Sequence, residues 1–227
     1  MTNFNEENIY SNFHLSYFDK IINNKRYEII NLINDFLIGR DLSDVLDIGT
    51  TKDDKNPSAN IIIKNLKEFN EYKSISDQKI DNKLFSKCLN KSICEEFLEE
   101  EINIYSSDLV ISNATIEHVG SENNQIKMIS NIIKLSKKIF IIITPNRNHP
   151  IEFHTKLPLI HWLPKKTHRF ILSLLGFKFL ALEKNLNLLN QKNLEQYMKK
   201  LNFNSYKFKS INFIKIKSNI ILIGEKN

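Results

Sequence analysis

The first forty residues carry apolar side chains at the spacing of one helix face. The set is Phe18, Ile21, Ile22, Ile29, Ile33, Phe36 and Leu37. Residues three or four apart share one side of a helix, so this pattern predicts a helix that packs its apolar side against the rest of the protein. Gly39 follows the last apolar position and is typical of a helix end. We therefore predict an N-terminal helical cap over residues 1–40.

Three short apolar runs predict buried strands of a parallel sheet. The runs cover residues 45–48, 108–112 and 139–144. Gly49 follows the first run and Pro145 follows the last, and both residue types are typical of strand ends. A weaker run over 72–76 predicts a further strand. No pattern places a strand between residues 78 and 107, although the fold requires one there.

Helical patterns separate these strands and close the chain. Pro57 and Ser58 can begin a helix that carries Ile61, Ile62, Leu66 and Phe69. Ser121 can cap a second helix with Ile126, Ile129, Ile132 and Ile133 on one face. A helix over 191–201 and two antiparallel strands over 206–216 and 220–224 complete the pattern. The alternation of strands and helices predicts an α/β fold with a mostly parallel sheet covered on both faces.

Composition supports a globular protein and argues against several functions. Hydrophobic residues make up 41% and charged residues 26% of the 227, as in ordinary domains. The net charge is +6, but the lysines are scattered, so nucleic-acid binding is not expected. No apolar run reaches the roughly 20 residues of a membrane span. We see no signal peptide, and Cys88 and Cys94 show no metal-binding pattern, which together favour a reducing cytoplasm.

Ligands of open parallel sheets bind beyond the carboxyl ends of the strands, so the polar residues that follow each strand are the candidates for chemistry. They are Asp47, Gly49, Thr50 and Thr51 after the first strand, Asp77 after the second, Asn113, Glu117 and His118 after the fourth, and Asn146 and Arg147 after the fifth.

Three of these strand ends resemble motifs of one enzyme family. Val45-Leu46-Asp47-Ile48-Gly49 resembles the first motif of class I S-adenosylmethionine-dependent methyltransferases. The stretch from Ser107 to Val119 is similar to the fourth-strand motif of that family, and the stretch from Ile141 to Arg147 to the fifth-strand motif of its type 11 branch. The resemblance implies a Rossmann-like, doubly wound, mostly parallel seven-stranded sheet with an antiparallel last strand, over about residues 40–224.

The resemblance also implies a division of the chain and an enzymatic activity. Residues 1–227 would form a single domain in four parts. These are the cap over 1–40, a cofactor-binding core over 41–145, an insertion or lid with a helix over 146–185, and a closing helix and strands over 186–227. S-adenosyl-L-methionine would be the cofactor, and the acceptor a small molecule or a glycan-type compound.

Individual residues receive roles from the same resemblance. Asp47, Thr50 and the backbone of Gly49 would line the methionine end of the cofactor, Asp77 would bind the ribose hydroxyls, and Asn113 would lie beneath the sulfonium. Adenine would meet the loop near Cys94 and Glu95. Three simpler interpretations stay open. Asp47 could only cap a turn, and Asp77 could be a solvated loop residue. Glu117 and His118 could be structural, with the histidine hydrogen-bonded to backbone groups.

The loop after the first strand departs from the family pattern. The family has a glycine-rich loop there, whereas this chain continues from Gly49 with Thr50, Thr51 and Lys52. Glycine allows close backbone approach and positive φ, while threonine is stiff and bulky. The departure favours a second hypothesis, a non-catalytic Rossmann-like binding or scaffolding domain. Modification of RNA is a third and weaker hypothesis, which rests on the basic charge alone.

The segment 146–169 is rich in histidine, proline and aromatic residues. Its histidines at 149, 154, 161 and 168 do not match a common metal-ligand spacing, so we predict no metal site. The segment would help to bind the acceptor through Asn146, His154 and Trp162. The candidate catalytic bases are His118, His149 and Glu152. Trp162 and the basic residues after it could also lie on a membrane surface. We favour a lid followed by a buried helix, because the run 170–182 is apolar.

Overall fold

A computed structural model of the chain describes residues 17–52 and 59–226, with side chains from residue 21 onwards. Its seven strands form one sheet in the order β3-β2-β1-β4-β5-β7-β6. The strands are β1 (Asp44–Ile48), β2 (Glu71–Ser76), β3 (Lys87–Asn90), β4 (Ser107–Asn113), β5 (Ser136–Pro145), β6 (Tyr206–Phe213) and β7 (Ile216–Glu225). Strands β1 to β5 are parallel, and β7 is antiparallel to both β5 and β6. The predicted doubly wound sheet with its antiparallel last strand is confirmed.

The helices cover both faces of this sheet. They are α1 (Tyr17–Leu37), α2 (Ile61–Lys64), α3 (Glu99–Tyr105), α4 (Glu122–Leu135), α5 (Lys165–Leu174) and α6 (Gln191–Lys200). Ile29, Ile33 and Leu37 of α1 are buried in the core on one face, and Met128 and Ile132 of α4 are buried in the core on the other. Ser121 caps α4 by accepting a hydrogen bond from the backbone N–H of Asn124. The predictions for residues 1–16, Pro57 and Ser58 lie outside the described residues.

The strands that end at Gly49 and Asn113 are neighbours. Ile48 of β1 pairs with Ser112 of β4 in parallel register, as the sequence predicts. The third strand, which the sequence pattern did not place, is β3 at the edge of the sheet. Its four residues are mostly exposed, so it carries no apolar run to reveal it. The carboxyl ends of β1, β2 and β4 therefore meet at one side of the sheet.

The amino-terminal side of the sheet is held by a buried ion pair. The Asp44 carboxylate in β1 accepts hydrogen bonds from Lys73 Nζ in β2 (2.7 Å) and from the backbone N–H of Asp108 in β4 (3.0 Å). Lys137 Nζ of β5 lies 3.3 Å from the same carboxylate. Burial alone would raise the pKa of Asp44, but the bonds from Lys73 and Asp108 lower it below its usual value. One carboxylate thus contacts three neighbouring strands.

The segment between β5 and α6 corrects one prediction. The buried helix expected over 170–182 is instead α5, which ends at Leu174 before Gly176 takes a φ of +89°. Phe170 is 64% exposed and Leu174 71% exposed, so only the face with His168 and Leu172 is buried. The apolar run therefore includes outward-facing positions. No helix in the described part of the chain is long and apolar enough to cross a membrane.

Candidate cofactor and acceptor site

A cavity of about 490 Å³ opens at the carboxyl ends of the parallel strands. Three strand ends form its floor, the loop after β3 forms one wall, and the segment before α6 forms the other. The lining residues are Gly49, Thr50, Thr51, Ile75, Ser76, Asp77, Gln78, Ser92, Ile93, Cys94, Ala114, Thr115, His118, Val119, Asn124, Phe179, Lys184 and Asn185. A volume of this size is typical of a small-molecule site.

Gly49, the first residue after β1, occupies a position where only glycine fits. Its φ is +87°, and a Cβ atom placed there would overlap the side chain of Thr115. Thr115 is held in place, because its single O–H lies within hydrogen-bonding distance of the backbone carbonyls of Ile48 (3.3 Å) and Asn113 (3.2 Å). At the floor of the cavity, the backbone of the loop after β1 therefore packs directly against a side chain of the loop after β4.

The threonines after Gly49 are fixed by hydrogen bonds. Thr50 Oγ1 donates to Asp47 Oδ2 (2.6 Å), and Ser76 Oγ donates to the Thr50 carbonyl (2.7 Å). The backbone of Thr51 forms two hydrogen bonds with the Asn60 side-chain amide, at 3.0 and 2.9 Å. Hydrogen bonds thus hold Thr50 and Thr51 at positions where the family pattern has glycine.

Asp47 supports this loop and is not among the residues that line the cavity. Its carboxylate is buried, and the loss of solvation raises its pKa to about 6, against the opposing effect of the Thr50 hydrogen bond. Asn113 is also absent from the lining. Ala114, with a φ of 51°, and Thr115 take the place expected for it. The structure thus favours the turn-capping interpretation of Asp47.

The other cofactor candidates face the cavity. Gly49 and Thr50 lie on its floor, and Asp77 is an exposed residue at its rim, at the end of β2. Cys94 lines the wall expected to meet adenine, whereas Glu95 does not. The position of Asp77 fits a carboxylate that binds two hydroxyl groups of a ligand.

Comparisons with known proteins give the fold. No family model and no curated protein matches the sequence, but many solved structures match the fold. Magnesium protoporphyrin IX methyltransferase from Synechocystis, solved with bound S-adenosylhomocysteine, is 12% identical with a TM-score of 0.55, covering 98% of this chain and 93% of that one. The chain has the class I methyltransferase fold.

Two further structures with the methyltransferase fold show the same likeness. The 1,6-didemethyltoxoflavin-N1-methyltransferase of Burkholderia thailandensis is 10% identical, with a TM-score of 0.54 over 92% of this chain and 81% of that one. The small RNA methyltransferase HEN1 is 12% identical, with a TM-score of 0.57 over 88% of this chain and 25% of that one. At such identities the likeness concerns the fold, while the site must be argued from its own residues.

At the end of the cavity away from Asp77, two histidines lie close together. His118 follows β4, His154 lies in the segment after β5, and their Nε2 atoms are 3.2 Å apart. His154 Nδ1 lies 2.6 Å from Glu152 Oε1, and His118 Nδ1 lies 2.6 Å from the Asn185 carbonyl oxygen. Glu117 lies beneath them, fully buried, with its Oε1 atom 3.9 Å from His154 Nε2.

Three residues at this end of the cavity, His118, His154 and Glu152, have shifted pKa values. Burial lowers the pKa of His118, and the neighbouring His154 lowers it further. Burial would also lower the pKa of His154, but the carboxylates of Glu152 and Glu117 raise it above its usual value. Glu152 is nearly buried, yet the charge and hydrogen bonds of His154, with a hydrogen bond from Thr155, lower its pKa to about 2.

Three other predicted residues lie away from the cavity. His149 is fully buried, with its ring stacked against Phe153 (5.0 Å) and Phe213 (5.5 Å), so its position does not support the role of a catalytic base. Asn146 Nδ2 donates to the Lys217 carbonyl (2.8 Å) and thereby ties β5 to β7. Trp162 is 53% exposed.

Sequence reasoning missed Thr115, Ser76 and the pair Lys184 and Asn185. Thr115 follows a predicted strand and Ser76 ends one, so the search for polar residues at the carboxyl ends of strands could have included both. Lys184 and Asn185 lie in a loop far along the chain, and no pattern in the sequence points to them.

Proposed function

We propose that the chain binds S-adenosylmethionine in this cavity and transfers its methyl group to a small-molecule or glycan-type acceptor. The observation that carries the proposal is the continuous cavity from Asp77 to His118. It runs across the loop after β1, at the sheet edge where ligands of this class of fold bind. Two structural neighbours were solved with bound S-adenosylhomocysteine, which supports the choice of cofactor.

In this proposal each part of the cavity takes one part of the cofactor. The Asp77 carboxylate accepts hydrogen bonds from both ribose hydroxyls, an arrangement that suits an ionised group. Ile93 and Cys94 contact the adenine, and the backbone of Gly49 approaches the methionine portion. The pair of hydrogen bonds between Asn60 and Thr51, and the bond from Ser76 to Thr50, hold the loop in position without further glycines.

The acceptor would enter beside His118, under the segment 146–185. Methyl transfer is a displacement in which a lone pair of the acceptor bonds to the methyl carbon. The electrons of the carbon–sulfur bond then pass to sulfur, and the acceptor loses a proton. The protein contributes mainly by excluding water and holding the two reactants in line. Phe179, Lys184 and Asn185, which line the cavity wall, would provide this cover.

Calorimetric titration with S-adenosylmethionine and S-adenosylhomocysteine tests the proposal. We expect one binding site per chain for each compound, with loss of affinity in an Asp77→Ala variant. Asp81→Ala is the matched control, because it removes an exposed carboxylate that does not line the cavity. If neither compound binds the folded protein, the second hypothesis of a non-catalytic binding domain replaces this one.

A further inference from the structure

Three potential metal ligands converge where the acceptor would enter. The Nε2 atoms of His118 and His154 and a carboxylate oxygen of Glu117 all lie within 4.8 Å of one another. His154 comes from a loop 36 residues beyond His118, so the spacing of histidines within 146–169 gave no sign of this group. Glu117 is fully buried, and the side chain of His154 is 16% exposed.

The hydrogen bonds around the two histidines fix which ring nitrogens carry protons. His118 Nδ1 faces the Asn185 carbonyl at 2.6 Å, and a carbonyl can only accept, so this nitrogen must donate. His154 Nδ1 faces the Glu152 carboxylate at 2.6 Å and must donate as well. In the neutral imidazoles, both Nε2 atoms therefore carry lone pairs, and these lone pairs face each other at 3.2 Å.

Glu117 adds a third lone pair to the same point. Its Oε2 atom accepts a hydrogen bond from Thr144 Oγ1 (3.0 Å), which orients the carboxylate. Its Oε1 atom is buried and has no hydrogen-bond partner among the residues that the structure describes. A buried carboxylate oxygen without a partner is costly, so the fold must compensate it in another way.

We propose that Glu117, His118 and His154 bind one divalent transition-metal ion. Two imidazoles and one carboxylate suit ions such as Zn²⁺ or Co²⁺ better than Mg²⁺ or Ca²⁺. Ligand atoms about 2.0–2.2 Å from such an ion lie about 3.3–3.6 Å apart when the geometry is tetrahedral. The separations of 3.2 Å and 3.9 Å need only small movements to reach this range. The proposal departs from the sequence-based prediction of no metal.

The surrounding contacts match those of known metal sites. A histidine that binds a metal normally donates its other ring N–H to a carboxylate or a backbone carbonyl, which orients the ring. His154 does so to Glu152, and His118 does so to Asn185. The carboxylate of Glu117 is oriented in the same way by Thr144. All three ligands are thus held before any ion arrives.

A proton is the competing occupant. A protonated His154 could donate from Nε2 to His118 Nε2, which would satisfy both rings. That arrangement leaves Glu117 Oε1 without a hydrogen bond, because the single proton on His154 Nε2 is already used. A metal ion accepts all three lone pairs at once, and this difference makes the metal the better explanation.

The ion would face the cavity, because His118 is one of the lining residues. Three protein ligands leave a coordination position open, and that position would take an oxygen of the acceptor. This role rests on the proposed methyl transfer. It narrows the acceptor to a compound with a hydroxyl group, whose pKa the ion lowers. The hydroxyl proton leaves to water, the oxygen bonds to the methyl carbon, and the carbon–sulfur bond breaks.

Metal binding is tested on the full chain after treatment with a chelator. Zn²⁺, Co²⁺ and Mg²⁺ are titrated by calorimetry, the visible absorption of Co²⁺ is recorded, and bound metal is counted by elemental analysis. We expect one Zn²⁺ or Co²⁺ per chain and no comparable binding of Mg²⁺. Zn²⁺ should also raise the midpoint of thermal unfolding, because it binds only the folded protein.

The variants remove one ligand atom each and preserve its surroundings. Glu117→Gln keeps an acceptor for Thr144, while His118→Asn and His154→Asn keep a donor where Nδ1 stands. Each should weaken Co²⁺ binding at least about tenfold. His168→Gln is the matched control, since it removes a buried imidazole outside the group, and it should bind Co²⁺ like the wild type.

Two results would overturn the metal site. One is a wild-type chain that takes up no Zn²⁺ or Co²⁺, and the other is uptake that persists unchanged in all three variants. S-adenosylhomocysteine affinity, measured in parallel, separates this proposal from the proposed function. Metal uptake without cofactor binding would keep the site and remove its role in methyl transfer. Cofactor binding without metal uptake would remove the site alone.

Discussion

The two ends of the cavity are built in opposite ways. At the cofactor end, Asp47 and Ser76 hydrogen-bond to Thr50, and Asn60 binds the backbone of Thr51. At the proposed acceptor end, ligand atoms of Glu117, His118 and His154 lie within 4.8 Å of one another, and Glu117 Oε1 accepts no hydrogen bond from the described part of the chain. Thr50 and Thr51 therefore have their hydrogen-bond partners within the protein, whereas the lone pairs of Glu117, His118 and His154 are the ones that the proposed cation would bind.

Gly49→Ala is the strongest test of the self-contained cofactor end. A methyl group there overlaps Thr115, and the φ of +87° is strained for alanine. We expect unfolding in urea to show a loss of roughly 3–4 kcal/mol from crowding and backbone strain together. Gly39→Ala is the control, because its φ is +72° with open space around it, and it should cost roughly 1–2 kcal/mol. Equal losses in both variants would contradict the close packing at Gly49.

Asp77→Ala tests whether the rim of the cofactor end binds the ligand. Asp77 is exposed, so folding should be unchanged. We expect the affinity for S-adenosylhomocysteine to fall by about 1.5–3 kcal/mol, the range for hydrogen bonds to a charged group. Calorimetry with Asp81→Ala alongside provides the measurement. Unchanged affinity would show that Asp77 is not the ribose ligand.

Asp47→Asn tests the buried carboxylate that anchors the loop. Its pKa is raised to about 6 from 3.8, so the folded chain holds a proton that the unfolded chain releases. Between about pH 4 and pH 6, this group therefore makes the free energy of unfolding fall as the pH rises, by about 1–3 kcal/mol in total. The variant should lack this part of the slope when urea denaturation is repeated across that range.

Asp44→Asn is the opposite case and serves as the control. The pKa of Asp44 is lowered by Lys73 and Asp108 against the effect of burial, so its ionised form stabilises the fold above about pH 4. Its removal should destabilise the protein at pH 7, and the difference from wild type should shrink as the pH falls below 4. If the stability difference between variant and wild type changed with pH in the same direction for Asp47→Asn and Asp44→Asn, the opposite pKa shifts of the two carboxylates would be contradicted.

Trp162→Ala should produce the smallest effect. The side chain is 53% exposed and does not line the cavity, so we expect a change of less than about 0.5 kcal/mol in stability and no change in S-adenosylhomocysteine affinity. Leu172→Ala, in the buried face of α5, should cost about 2–4 kcal/mol. A fall in binding to anionic vesicles would assign Trp162 to a membrane-facing surface. A stability loss like that of Leu172→Ala would show that Trp162 belongs to the core.

The sequence predicts the centre of the fold better than its edges. Strands β1, β4 and β5 are mostly buried and contain largely apolar runs, which is why their pairing could be predicted. Strand β3 is exposed at the sheet edge and leaves no such signal. In α5, apolar residues point both inward and outward, so hydrophobicity alone predicted the wrong helix limits and burial.

The candidate site divides in the same way. Gly49, Thr50 and Asp77 come just after strands, so they could be predicted from the position of ligands beyond the carboxyl ends of parallel strands. His149 and His154 look alike in sequence, and only packing separates them, since one ring is stacked between Phe153 and Phe213 and the other meets His118. That meeting depends on where a loop folds back, which no local spacing encodes.

The Asp44 carboxylate has a consequence for how the sheet is assembled. Its bonds join β1 to Lys73 on one side and to β4 on the other, with Lys137 of β5 beyond. If a strand were paired one residue out of step, the carboxylate and the lysines would face apolar neighbours, and such unpaired charges are heavily penalised. The ion pair therefore favours the observed register of the strands. It discriminates against wrongly aligned sheets even where it adds little to the stability of the correct one.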